Sequence, residues 1–327
     1  MSGKPVRLAV SMGDPAGVGP EVILGAMAEF SHDAEIIICG DLGVIKAAAK
    51  LMGDAGLDGP DPEKEMDLIP VTVLAESEIK FGKPSRLTGD ASYRYAIMAL
   101  REVLNGDADA MVTAPISKRW WAEAGRLYPG HTELLAEETG AKKFAMMLAA
   151  PTLRTVPVTI HEPLASVSET LSVEKIVDAI EQTHSALIDW FGIEKPRLAC
   201  TGLNPHAGEE GRIGKEEIDI IIPALEKARV ANIDIVGPLA ADSLFARADK
   251  YDAVICMYHD QALIPIKTLH PQDAVNLTLG LPIVRTSPDH GTAFDIAGSG
   301  TADHRSMLAA MNMAVGIINK KRRVAYS

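Results

Sequence analysis

This sequence of 327 residues predicts an α/β protein with a mostly parallel sheet. Two observations carry that expectation. Short apolar runs rich in β-branched residues alternate with longer amphipathic ones, the pattern of successive βαβ units. Several of the short runs also end close to histidine, lysine or arginine, and open α/β sheets bind ligands outside the carboxyl ends of their strands. In order, strands are expected at 6–12, 35–40, 108–114, 144–149, 155–160, 197–203, 234–237 and 251–257. A further apolar strand is expected at 281–284. Helices are expected at 21–29, 91–104, 172–190, 215–229 and 302–318. The stretch 53–65, rich in Gly, Asp and Pro, reads as a surface loop, and no tandem repeat or low-complexity segment interrupts the series.

Composition narrows the class. Hydrophobic residues make up 47% and charged ones 23%, a mixture suited to a globular chain with an ample core. The net charge of −12 argues against a nucleic-acid partner. The one basic run, 320–323, reads as a solvated helix end favoured by the dipole. Cys39, Cys200 and Cys256 each lie within an apolar run and form no C-x-x-C pair, so they read as small buried hydrophobes in a reducing compartment. With no leader-like segment and no apolar stretch of membrane-spanning length, a cytoplasmic protein is expected.

The strand ends hold the chemistry. The run 155–160 leads into His161, 197–203 into Asn204, Pro205 and His206, and 251–257 into Tyr258 and His259. Imidazole is a common neutral ligand for zinc and its neighbours, and a set of three leaves a coordination position open for substrate. His32, His184 and His270 read instead as ordinary loop or core histidines. Lys267 follows His259, Arg285 follows the apolar run 281–284, and Asn276 lies shortly before that run. In so acidic a chain such cations suggest an anionic ligand. Lys118 reads as a surface ion-pair partner. The stretch Gly13-Asp14-Pro15-Ala16-Gly17-Val18-Gly19-Pro20-Glu21 opens a helix after the first strand, with Pro20 at its first position. It is neither a dinucleotide fingerprint nor a Walker loop, and its glycines allow a tight turn and close ligand approach.

Five ordered segments resemble one family. Residues 13–21, 128–135 (YPGHTELL), 203–209 (LNPHAGE), 257–261 (MYHDQ) and 275–287 (VNLTLGLPIVRTS) together closely resemble the 4-hydroxythreonine-4-phosphate dehydrogenases. The likeness runs from about residue 6 to about 315. It implies an isocitrate/isopropylmalate dehydrogenase-like fold of two domains, forming a homodimer with its active site shared between subunits. The analogy divides the chain into 1–125 plus 266–327 on the nucleotide side and 126–265 as a middle domain carrying metal ligands and dimer contacts. By the same resemblance His161, His206 and His259 hold one divalent metal per subunit (zinc, cobalt or magnesium), with His259 supplied by the neighbouring subunit. His131, Thr132, Lys267, Asn276 and Arg285 match substrate-binding positions. One departure is Glu162 after His161, where the family more often has an apolar residue; it could tune the metal or face solvent. A more local likeness, of residues 290–298 to the adenine-side loop of isopropylmalate dehydrogenases, places NAD, or NADP as the alternative, against His290, Gly291, Ala293, Asp295 and Ile296.

The reaction implied is NAD-linked oxidation of 4-phosphooxy-L-threonine at C3, then decarboxylation to 3-amino-2-oxopropyl phosphate, in pyridoxal 5′-phosphate biosynthesis. A related dehydrogenase of 4-phospho-threonate or -erythronate, or of an aromatic cis-dihydrodiol, is an alternative, as is a metal-dependent hydrolase from another class. No membrane or nucleic-acid partner is expected.

Overall fold

The computed structural model describes residues 4–57, 59–74 and 78–325 and divides into two compact units. The first comprises residues 1–140 and 281–319, and the second 141–280 and 320–327. The expected divisions after residues 125 and 265 lie upstream of the ends of these units.

In the first unit the strands are β1 (Val6–Ser11), β2 (Ala34–Gly40), β3 (Asp67–Pro70), β4 (Ala110–Thr113) and β11 (Val284–Pro288). They lie in the order β3-β2-β1-β4-β11, every neighbouring pair parallel. Strands covered on both faces become almost wholly apolar, and Leu8, Ala9 and Val10 are fully buried. Around them lie α1 (Gly19–Glu29), α2 (Leu42–Asp54), α3 (Arg86–Leu104), α4 (Lys118–Glu123) and α5 (His131–Thr139). Ser85 begins α3 with a reciprocal capping box to Thr88, which satisfies two otherwise unpaired N–H groups.

The second unit contains β5 (Ala145–Ala149), β6 (Arg154–Pro157), β7 (Arg197–Thr201), β8 (Asp234–Leu239), β9 (Ala253–Cys256) and β10 (Val275–Leu279). Their order is β10-β5-β6-β9-β7-β8, antiparallel from β10 to β6 and parallel beyond. Its helices are α6 (Val167–Thr170), α7 (Val173–Asp189), α8 (Ile222–Val230), α9 (Ala241–Phe245) and α10 (His259–Leu269). The last helix, α11, spans Arg305–Ala325.

The mixed α/β class and the parallel bias are as expected. Several bounds differ. The apolar run at 281–284 is not the strand; β11 begins at Val284, so Arg285 sits inside it. Helix α2 reaches Asp54, into the stretch expected as loop, of which Asp58 lies outside the described residues. Helix α1 starts at Gly19, so Pro20 is its second residue. All three cysteines are buried, and burial pushes the Cys39 thiol up to about 12. Among the described residues no helix is long and apolar enough to cross a membrane.

Candidate active site

In the second unit, β6 and β9 run parallel, with Pro157 opposite Cys256. Their pairing continues past the strand ends: Val158 N–H donates to Cys256 O at 2.8 Å, and the Thr159 hydroxyl to Met257 O at 2.9 Å. This tie carries His161 and His259 to the same place. Their ring centroids lie 6.2 Å apart, tilted by 40°, in an open cavity of about 320 Å³. His259 opens α10, and its Nδ1 lies 2.6 Å from the Asp260 carboxylate. With Nδ1–H donating to Asp260, Nε2 is left as the lone-pair nitrogen, the arrangement that orients metal-binding imidazoles.

Glu162 lines the same cavity, but its carboxylate is engaged by neighbours of its own. It accepts a hydrogen bond from the Thr170 hydroxyl and pairs with Lys175 at 3.7 Å.

His206 is held differently. From His206 to Glu210 five consecutive residues take left-handed backbone angles, with φ of 52°, 52°, 77°, 46° and 59°. Each non-glycine residue there costs about 1–2 kcal/mol. The Glu217 carboxylate, 2% exposed, offsets this by accepting from Leu203 N–H, Asn204 N–H and Asn204 Nδ2 at 2.8, 2.8 and 2.9 Å. A side chain at Gly208 would approach Glu217 Oε2 within 2.5 Å, so the turn needs glycine for space as well as for its φ. Among the described residues no three His, Cys, Asp or Glu side chains converge closely enough for one ion. The structure thus brings His161 and His259 together and leaves His206 outside that pair.

Gln261 escaped the sequence reading, although it lies inside the MYHDQ segment. Its Oε1 accepts from the Thr201 hydroxyl at 2.6 Å and from Met257 N–H at 2.7 Å, while its Nε2 donates to Gly202 O at 2.8 Å. One amide therefore fastens the end of β7, the end of β9 and the first turn of α10. Further along α10, Lys267 lines a shallow depression with His259. Asn276 lies on β10 opposite Leu148, its buried Oδ1 without a partner among the described residues.

The first unit brings a buried arginine near the start of α5. Arg285 is 4% exposed and donates through Nε and Nη2 to the Thr113 hydroxyl at 3.1 and 2.6 Å. Burial lowers its pKa to about 10, and the charge of Glu133 opposes that shift. His131 opens α5, packs edge-on against Trp121 at 5.4 Å and keeps a buried Nε2 without a partner among the described residues. Burial, then the charge of Arg285, holds its pKa well below the usual imidazole range, so the ring is neutral. Thr132 follows in the same first turn, where helix N–H groups lack intrahelical partners and favour anions.

The loop 290–298 also lies in this unit. Asp295 and Ile296 are exposed, and Ala293 takes a left-handed φ of 42°. His290 Nδ1 contacts Gly291 O at 2.9 Å, and its buried Nε2 has no partner among the described residues. A Cβ added to Gly291 would meet nothing within 4 Å, so no protein neighbour demands that glycine. Gly19 contrasts with it, because a Cβ there would come within 2.3 Å of Met12 O. In the first βα turn, the close approach at Gly19 is therefore to the protein's own backbone.

Parallel strands ending at paired imidazoles, with a buried arginine beside a helix start, define an α/β enzyme, and the relatives make it a dehydrogenase. The family model for the pyridoxal phosphate biosynthetic protein PdxA matches residues 32–314. The chain is 46% identical to a 4-hydroxythreonine-4-phosphate dehydrogenase of Geobacter metallireducens, over 96% of each chain. The crystal structure of the Klebsiella pneumoniae protein of that name superposes with a TM-score of 0.85 at 34% identity, covering 97% of this chain and 99% of that one. A terephthalate 1,2-cis-dihydrodiol dehydrogenase from Burkholderia xenovorans gives 0.65 at 31% identity, covering 95% and 98%. This chain belongs to the PdxA family.

Proposed function

We propose that this protein oxidises 4-hydroxythreonine 4-phosphate at C3 with NAD, and that the resulting β-keto acid loses carbon dioxide to give 3-amino-2-oxopropyl phosphate for pyridoxal 5′-phosphate synthesis. The observation that carries the reading, beside family membership, is the facing pair His161 and His259 at the ends of parallel strands.

Two imidazoles fit a cation that accepts nitrogen, which favours zinc or cobalt over magnesium. A divalent ion held there would act as a Lewis acid that eases deprotonation of the substrate hydroxyl. His161, His206 and His259 would be its ligands, with His259 supplied by the neighbouring subunit as the resemblance implies, since among the described residues the three do not converge within one chain. Asp260 fixes the His259 ring. His131, Thr132, Lys267, Asn276 and Arg285 bind the substrate's anionic and polar groups, Arg285 by its fixed charge and His131 as a neutral partner. The loop 290–298 takes NAD through His290, Gly291, Ala293, Asp295 and Ile296. The exposed Leu164, Ile264 and Leu269 of the second unit offer apolar surface to a second copy in a homodimer.

The test is metal content and turnover in His161→Ala and His259→Ala. Each should fall well below one bound ion per chain and lose activity. Full metal content in both variants would remove the basis of the assignment.

A further inference from the structure

Neither the imidazole pair nor the group around Arg285 uses the segment 13–21. Its last residue shows what it does. Glu21 lies in the first turn of α1 and is 3% exposed. A carboxylate so buried is stable only where donors meet its charge. Both oxygens accept backbone N–H groups from one distant loop, Oε1 from Gly298 and Oε2 from Gly300, the latter at 3.0 Å. The positive end of the α1 dipole favours the same charge. Gly298 and Gly300 have φ of +83° and +70°, angles at which other residues would be strained. Nearer the start of the loop, Val18 N–H donates to Thr292 O at 3.0 Å. A Cβ on Gly17 would come within 2.9 Å of that oxygen. The loop is thus fastened on both sides of Asp295 and Ile296, which remain exposed between the two attachments.

We infer that Glu21 is a positioning residue for the nucleotide: by clamping Gly298 and Gly300 it presents Asp295 and Ile296 to the adenosine half of NAD. The inference rests on the reading that loop 290–298 holds the cofactor. It gives the segment 13–21 a task that needs no direct contact with phosphate. Gly17 lets the backbone just before α1 approach the loop at Thr292, and Glu21 supplies two charge-assisted hydrogen bonds, the stronger kind.

Glu21→Gln tests it, because the variant keeps the side-chain volume but turns an NH₂ toward one of the two amides. The dissociation constant for NADH, read by NADH fluorescence without substrate, should rise by about tenfold or more. The KM for NAD should rise with it, while kcat at saturating NAD stays within about twofold of wild type. Unchanged NADH affinity in a folded variant overturns the clamp. Asp295→Ala separates the two layers. Weaker NADH binding in Asp295→Ala but not in Glu21→Gln leaves the cofactor reading standing and removes the role of Glu21. Unchanged binding in Asp295→Ala removes both. If Glu21→Gln does not fold, hydrogen exchange on the wild-type protein decides. Slow exchange at the Gly298 and Gly300 amides before NADH is added supports the clamp, and fast exchange there overturns it.

Discussion

Gln261→Ala should destabilise the protein and loosen the proposed metal site together. The amide makes three hydrogen bonds, to the Thr201 hydroxyl, Met257 N–H and Gly202 O. Thr201 retains a second acceptor, Ile255 O at 3.3 Å, so its hydroxyl stays satisfied. Met257 N–H and Gly202 O lose this partner in a region where both residues are buried. Each buried group left unsatisfied costs about 1–3 kcal/mol, which sums to about 2–6 kcal/mol. Against an ordinary domain stability of about 5–15 kcal/mol that is a large fraction. Water entering the space left by the side chain would bring the loss toward the lower end. Urea denaturation of metal-free protein measures it directly. The same amide fixes the turn that aims His259, so zinc or cobalt affinity should fall by about 10–100-fold, the usual consequence of losing a group that orients a ligand. A loss under about 1 kcal/mol with unchanged metal affinity would refute the reasoning.

NAD should be preferred over NADP by at least about tenfold in kcat/KM, because Asp295 would meet a 2′-phosphate as a like charge. At about 5 Å and an effective dielectric of about 20, that repulsion is on the order of 3 kcal/mol before screening. Asp295→Lys with Ile296→Tyr should narrow or reverse the ratio, and equal use of both cofactors by wild type would displace Asp295 from the ribose. Lys267→Met should raise the substrate KM by about tenfold while sparing that for NAD; a matching rise for NAD would move Lys267 to the cofactor side. Burial raises the Asp14 pKa to about 6 from an unfolded value near 3.8, so the folded state holds this proton more tightly. Its penalty is absent below the unfolded pKa, grows as pH rises between the two values, and is complete above the folded one. Asp14→Asn should therefore stabilise the protein at pH 7 by up to about 3 kcal/mol, the gain vanishing near pH 4. Denaturation at the two pH values checks this, and an equal gain at both would contradict it.

Most strands were legible because burial on both faces makes their sequences apolar, as in Val6–Ser11 and Ala253–Cys256. Strand β11 was misplaced for the opposite reason. Its polar residues are buried yet satisfied internally, Arg285 on Thr113 and Thr286 on Ala310 O, so hydrophobicity pointed one segment too early. Helix α5 gave little warning, since Gly130 provides no side-chain cap. Helix α10 carries Pro265 in its interior, a residue that usually ends a helix. Missing these two helices hid the local placement of His131 and His259. The strand-end histidines themselves were readable, and the pairing of β6 with β9 explains why two of them meet. The left-handed turn of His206 was not readable, because only Gly208 among its five residues suggests such angles. Gln261 was hidden because an amide inside a motif shows its value only once its three partners are in place.

The central claim is a metal-dependent, NAD-linked oxidation, and one measurement reaches it most directly. Purified protein loaded with zinc or cobalt is mixed with NAD and 4-hydroxythreonine 4-phosphate while NADH absorbance and released carbon dioxide are followed. NADH should appear only when the phosphorylated substrate is present, with an equal amount of carbon dioxide, and should cease on chelation of the metal. No NADH from folded, metal-loaded protein, or an undiminished rate in the His161→Ala, His259→Ala double variant, would contradict the account.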